Sequence, residues 1–412
     1  MHAPRRHASP TATRLWFAAL ALLLLSGGQP IAAQPRGEVI PDELLVKFAP
    51  GVNAATVARA VGARVADRLP ALDVVVLKVA PNAADATLRA LSGNPLVEYA
   101  EPNGIAHALL DPNDPYDNTT CYPSSRHGCV LQWAWGKVEA YAAWDTTTGG
   151  TTVRIAVVDT GVDNSHEDLP AVVAQRDFVN NDSNAEDDNG HGTHVAGTIG
   201  ALTNNGTGVA AANWAVALLS VKVLNREGSG SYAAVANGIT WAADNGARVI
   251  NLSLGGTVPS TTLRNAVNYA WNKGAVLACA AGNSGTSQRH YPAAYERCIA
   301  VAATDEQDAK ASFSTYGSWV DVAAPGVHIL STMPNSAVYL TSQYGYLQTY
   351  DSLNGTSMAT PHVAGLAGLV WARGACTSAS CVRSRIEETA DPIPGTGTYW
   401  RWGRVNYRKA VQ

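Results

Sequence analysis

Charge is what this sequence has little of: charged residues make up 15% of its 412 positions, and the formal net charge is −4. A chain so nearly balanced offers no basic surface, so neither nucleic acid nor an anionic membrane is a natural partner. It has no low-complexity tail, and 46% hydrophobic residues describe an ordered globular protein. It also lacks an apolar run of the ~20 residues needed to cross a bilayer. The run Leu15–Leu25, "LWFAALALLLL", follows Arg5, Arg6 and Arg14 and precedes "IAA" ending at Ala33. That order predicts a secretory signal peptide over residues 1–33, hence a secreted protein with no membrane attachment once the signal is cut. Export permits disulfides. The six cysteines allow 15 pairings, and sequence neighbours suggest Cys121–Cys129 and Cys376–Cys381, leaving Cys279–Cys298.

Two hydrolytic signatures are missing as well. A zinc peptidase needs His-Glu-x-x-His, two imidazoles four apart with a base between them. In "DDNGHGTHVAGT" His191 and His194 stand three apart with no glutamate between. A lipase-type hydrolase needs Gly-x-Ser-x-Gly, but around Ser357 position 359 is alanine.

What is present falls into two patterned regions. Residues 36–108 read as strand, helix, short strand, strand, helix and strand: "ELLVKF", "NAATVARAVG", "ARVADRL", "DVVVLKV", "ADATLRALSG" and "LVEYAEPN". That β-α-β-β-α-β order predicts a small α+β, ferredoxin-like domain. A Pro-, Asn-, Asp- and Ser-rich connection follows. Residues 109–412 read as an α/β domain with a mostly parallel sheet flanked by helices. The runs "VRIAVVDTG", "VALLSVKVL", "RVINLSLGG", "AVLACAAGN" and "CIAVAAT" are apolar on both faces, as buried parallel strands are. Helical stretches separate them. In such a fold the site lies beyond the carboxyl ends of the strands.

Three segments place a chemically capable side chain at such a point. Asp159 ends the strand "RIAVVD", His191 lies between Gly190 and Gly192, and Ser357 opens a helix in "NGTSMATPHVAG". Each alone has an ordinary reading, a turn cap, a packed imidazole or an N-cap. Together "VVDTGVDNSHEDL", "DNGHGTHVAGT" and "NGTSMATPHVAG" resemble the three catalytic motifs of the subtilisin-like serine endopeptidases, in the order Asp, His, Ser, and in particular the secreted thermitase-like branch. The resemblance runs from about Asp114 to the C-terminus. Residues 36–108, ending in "VEYAEPN", resemble the family's inhibitory prodomain.

The resemblance implies a mechanism in which Ser357 is the nucleophile, His191 the general base and Asp159 its orienting partner. Asn283, in "AAGN", and the Ser357 backbone N–H would form the oxyanion hole. Extended polypeptide substrates would pair with Gly228-Ser229-Gly230 and Ser253-Leu254-Gly255, with Tyr232 and Leu254 lining an apolar subsite. An apolar or aromatic residue is expected on the acyl side of the cut bond. His290, in "RHYP", stands where the family often has Gly or Asn; its ring would narrow the primary pocket, favour polar side chains, or turn to solvent. Calcium is implied as a structural cofactor. One site falls on Asp114, Asp168, Leu202, Asn205, Thr207 and Val209, and a second on Asp177, Asp182, Asn184 and Glu186. The prodomain would act as an intramolecular inhibitor until self-processing within "NGIAHALLDPND", giving a monomeric peptidase. His194 is expected to be structural. Competing expectations are a processing protease with few targets and a degenerate peptidase fold used for binding.

Overall fold

The computed structural model describes residues 39–108 and 132–412. The expected signal peptide, the Cys121–Cys129 pair, Asp114 and the stretch in which the cut is expected after Ala108 lie outside the described residues.

The larger unit is built on eight strands whose neighbouring pairs are all parallel. Their spatial order is Gly403–Arg404, Val322–Pro325, Cys298–Thr304, Val276–Ala280, Val249–Leu252, Gly149–Asp159, Ala215–Lys222, Ala174–Asp177. The central strands carry apolar side chains alternately to two cores, as the two-residue repeat of a strand requires. Ile155 and Val157 face one core with the helices His191–Gly200 and Thr356–Arg373; Ala156 and Val158 face the other with the helices Tyr232–Asp244 and Thr261–Asn272. Disulfides join Cys279 to Cys298, on adjacent strands, and Cys376 to Cys381.

The smaller unit has the expected order of elements: Val39–Phe48, Ala54–Ala60, Arg64–Leu69, Val74–Lys78, Ala84–Ser92 and Val97–Ala108. Its antiparallel sheet uses both faces. Leu44, Val46, Val75 and Leu77 bury against its own two helices. Leu45, Leu69, Leu72, Val74 and Val76 instead join the core of the larger unit, beside Tyr232, Val235, Leu263 and Val267.

The strand Val97–Ala108 then runs on into the larger unit. Ile105 pairs with Ser231, Ala106 with Gly230 and His107 with Ser229. On its other side, Ala108 pairs with Leu254 and His107 with Gly255. Both pairings are antiparallel, so this segment is the middle strand between the two backbone edges expected to take substrate. Side chains earlier in the strand cap two helices. Ser260 Oγ donates to Glu101 Oε1 at 2.7 Å and Thr262 N–H does so at 2.5 Å, while Thr261 N–H donates to Glu101 Oε2. Asn103 Oδ1 accepts from Ala233 N–H at 3.1 Å, and its Nδ2 donates to Glu43 at 2.8 Å. Thus three of the orphan N–H groups that open the helices Thr261–Asn272 and Tyr232–Asp244, those of Thr261, Thr262 and Ala233, are satisfied by the smaller unit.

Candidate active site

Asp159 is the last residue of its strand, and His191 is the first of its helix. Their meeting needs a close backbone approach. Gly192 rests on the Gly161 carbonyl so tightly that a β-carbon there would lie 2.0 Å from that oxygen. His191 Nδ1 and Asp159 Oδ1 are 2.7 Å apart, and both side chains are fully buried. Asp159 Oδ1 also accepts from Thr160 N–H at 2.7 Å. An imidazole bonded to a carboxylate through Nδ1 leaves Nε2 as its working nitrogen, and His191 Nε2 has no hydrogen-bond partner.

The turn that delivers His191 is organised by a residue that sequence reasoning left unassigned. Asp187, buried, accepts from Thr160 Oγ1, Asn189 N–H and Gly190 N–H on one oxygen (2.9, 3.0 and 2.8 Å). Its other oxygen accepts from Thr193 N–H and Oγ1 (2.8 and 2.7 Å). Buried Lys222 donates to the Thr160 carbonyl and to Asp188 Oδ1, each at 2.6 Å. It thereby ties the aspartate turn to the histidine turn. A signal for both was present in the sequence as an acid and a lysine inside otherwise apolar or glycine-rich motifs.

Ser357 stands in the first turn of the helix Thr356–Arg373, where backbone N–H groups have no acceptor within the helix. Its hydroxyl donates to the Ser253 carbonyl at 3.1 Å, and Ser253 Oγ returns a bond to the Ser357 carbonyl at 2.7 Å. The Ser357 hydroxyl is thus held by the Ser253 carbonyl and not by His191. Asn283 Oδ1 accepts from Thr356 N–H at 2.9 Å and from Thr356 Oγ1 at 3.0 Å. These two bonds fix the amide with its NH₂ outward, and Asn283 Nδ2 is buried without a partner. A donor held unpaired in this way suits an oxygen that gains negative charge.

His194, on the same helix as His191, donates from Nε2 to the Ile329 carbonyl at 2.9 Å. Burial pushes it down to about 3, so it stays neutral and does no acid–base work. Tyr232 is buried with its hydroxyl donating to the Val258 carbonyl at 3.0 Å. Gly228 turns with positive φ into the edge strand Ser229–Ser231. His290 does not turn to solvent. It is 9% exposed, and neither ring nitrogen has a partner.

The two expected calcium sites differ. Asp168 is fully buried and faces Asn205 Nδ2 at 2.9 Å and Val209 N–H at 2.8 Å. Its carbonyl accepts from Leu202 N–H at 2.8 Å, and Asn205 Oδ1 accepts from Thr207 N–H at 2.7 Å. Desolvation raises the Asp168 carboxyl above the usual range. Five residues of the first set are thus linked, Asp168 to the loop 202–209, but through N–H groups that occupy both oxygens of its carboxylate. The second set is not gathered in this way. Asp177 is occupied by Val179 N–H, Asn180 N–H and Asn180 Nδ2 (2.6, 2.9 and 2.8 Å). Asp182 Oδ1 accepts from Asn184 N–H at 2.8 Å. Glu186 is pushed up to about 7 by desolvation, with the charge of Asp163 and a hydrogen bond to it adding. Among the described residues no three His, Cys, Asp or Glu side chains converge on a metal position.

A parallel sheet carrying an aspartate, a histidine and a helix-borne serine at its carboxyl end defines a class, and comparison agrees. The chain belongs to the subtilase family, whose model matches residues 150–405, and a fervidolysin N-terminal prodomain model matches residues 26–103. It is 55% identical over 302 residues to thermitase of Thermoactinomyces vulgaris, covering 73% of this chain and 99% of that one. It is 46% identical over 384 residues to a thermophilic serine proteinase of Bacillus sp. (strain AK1), covering 91% and 88%. Subtilisin DY of Bacillus licheniformis is 46% identical over 267 residues, covering 64% and 92%. The protein is therefore a serine endopeptidase that carries a prodomain and acts on polypeptides.

Proposed function

We propose that this is a secreted, broadly acting endopeptidase, made as a self-processed zymogen, that cleaves through Asp159, His191 and Ser357. The observation that carries the reading is the buried Asp159–His191 bond with His191 Nε2 left free. In the first step the Ser357 hydroxyl leaves the Ser253 carbonyl, gives its proton to His191 Nε2, and Oγ bonds to the substrate carbonyl carbon. Asn283 Nδ2 and the Ser357 N–H donate to the resulting oxyanion. His191 then passes the proton to the leaving amine as the C–N bond breaks, and water repeats the cycle to release the acyl group. Asp159 keeps the imidazole in one tautomer and stabilises its cation.

Substrate pairs with residues 228–230 and 253–255, the edges that the strand ending at Ala108 occupies here. That occupancy supports an inhibitory prodomain over residues 36–108 and a monomeric peptidase over 109–412, after removal of the signal at 1–33. Tyr232 and Leu254 line the upstream apolar subsite, and apolar or aromatic side chains are preferred beside the cut bond. Calcium would be held by oxygens of Asp168 and Asn205 and the carbonyls of Leu202, Thr207 and Val209, with Asp114 outside the described residues, and would supply stability and no chemistry. Labelling of the mature protein by a serine-directed fluorophosphonate, lost in Ser357→Ala, tests the reading; an active protein that takes no label contradicts it. EDTA should hasten thermal inactivation, and an unchanged rate would remove the calcium.

A further inference from the structure

Asparagine followed by glycine is the pair most prone to lose its amide, because no side chain shields the following backbone nitrogen. The described residues hold six such pairs, opened by Asn103, Asn189, Asn205, Asn237, Asn245 and Asn354. Five of them are closed to that chemistry. Asn103, Asn189 and Asn354 are buried. Gly190 N–H donates to Asp187 Oδ1 at 2.8 Å, Gly355 N–H to the Gly326 carbonyl at 2.9 Å and Gly246 N–H to the Ala243 carbonyl at 3.1 Å. Asn237 and Gly238 lie inside the helix Tyr232–Asp244, where the backbone nitrogen is committed to the helix ladder.

Asn205–Gly206 is the exception. Both residues are exposed, Gly206 has φ +74°, and a β-carbon on it would meet nothing within 4 Å. Among the described residues the Gly206 N–H has no acceptor. The Asn205 amide is held at both ends. Thr207 N–H donates to its Oδ1 at 2.7 Å, and its Nδ2 donates to Asp168 Oδ1 at 2.9 Å. The first bond favours negative charge on Oδ1, where charge collects when a nitrogen adds to the amide carbon.

We propose that Asn205 is a self-modification site, converted without an enzyme to aspartate and iso-aspartate. The Gly206 nitrogen loses its proton and bonds to Asn205 Cγ; the Cγ–Nδ2 bond breaks, and Nδ2 leaves with that proton as ammonia. Water then opens the five-membered imide at either carbonyl carbon, so amide plus water gives carboxylic acid plus ammonia. The product sets a carboxylate where an NH₂ met Asp168. Asp168 keeps Val209 N–H at 2.8 Å but loses its bond to residue 205, and two like charges face each other. The loop follows directly on the helix His191–Gly200, so conversion loosens the chain behind the histidine helix.

The test follows the Ser357→Ala protein, which lacks the proposed nucleophile, in mildly alkaline buffer well below its melting temperature. Chelator is present, because a bound cation would draw the two carboxylates together. Peptides from an acid digest are weighed for the one-dalton gain, and iso-aspartate is counted with its methyltransferase. Asn205 should convert at least about tenfold faster than the other five, which must first open a hydrogen bond or a buried segment. Gly206→Ala, which shields the nitrogen, should bring Asn205 down to the rate of the others. Asn205→Asp and the fully aged parent should melt about 2–4 °C below the fresh parent, and Gly206→Ala should not fall further with age. If Gly206→Ala does not fold at that φ, Asn205→Gln, whose longer amide closes a six-membered ring more slowly, takes its place. Faster conversion at another Asn–Gly pair, or conversion at none, overturns the site. An Asn205→Asp protein that melts with the parent overturns its consequence.

Discussion

The two halves of the site are finished to different degrees. On the histidine side, Asp159, Thr160, Asp187, Thr193 and Lys222 bond the turns around His191, and only Asp159 Oδ2 and His191 Nε2 are left without a partner. On the serine side, Asn283 Nδ2 and both nitrogens of His290 are left open. The scaffold that fixes the His191 turn keeps the same partners throughout, so it can be satisfied in advance, whereas His191 Nε2 is left open. The half that meets substrate must keep its donors for atoms that arrive later. Buried unpaired groups are costly in general, and Asn283 Nδ2 is one that the proposed chemistry would use.

Substitutions can break that contrast from either side. The largest effect is expected for Ser357→Ala: peptidase activity should fall about 10⁶-fold, a magnitude carried over from subtilisin, the family's own case. Uncleaved proprotein should still be secreted, and normal self-processing would contradict the assignment. Asn283→Ala should lower kcat by about 10²–10³, again subtilisin's figure. Thr356→Val, which removes one of the two bonds holding the Asn283 amide and keeps its backbone one, should cost about tenfold in kcat with KM little changed. On the closed side, Asp187→Asn should act mainly on stability, by about 1–3 kcal/mol in denaturant unfolding, with activity per titrated site reduced less than for Asn283→Ala. If the order of those two is reversed, the division into halves is wrong.

The smallest effect is one of pH. Burial pushes His194 down to about 3 and His362 down to about 4, against an ordinary 6.5. The unfolded chain therefore binds protons that the folded one refuses, and stability should fall as pH drops from about 6.5 towards 4. Replacing His362 with Gln should flatten that slope by close to one proton, measured as the melting temperature against pH. His362 packs on Trp135 and donates from Nδ1 to the Met358 carbonyl at 2.9 Å.

Much of the architecture was legible because buried parallel strands are continuous apolar runs, and "RIAVVD", "VALLSVK" and "CIAVAAT" stand out as such. Strands that are short or mixed did not show this way: Ala174–Asp177, Val322–Pro325 and Gly403–Arg404 are fixed by their neighbours in the sheet. The hairpin of Ile329–Met333 and Thr349–Leu353, with the helix Tyr339–Tyr344 between, carries no period long enough to read. Within the site, Asp159, His191 and Ser357 were legible as motifs, and the pairing of 105–108 with both edges follows the expected inhibitor. Asp187 and Glu101 were not, because what they do depends on N–H groups brought from distant segments. The acids near His191 do not share one loop role either. Asp187 and Asp188 serve the histidine turn, while Glu186 faces Asp163.

The prodomain sheet has a second apolar face, Leu45, Leu69, Leu72, Val74 and Val76, covered only by the peptidase. Once the connecting chain is cut, staying bound depends on concentration instead of tether length. A domain of this size that loses half its apolar cover is marginal on its own, and a dissociated copy becomes a loosened polypeptide in the presence of the enzyme it restrained. Under the proposed self-processing and export, release would be self-reinforcing: each freed peptidase would digest inhibitor, and dilution outside the cell would set the clock.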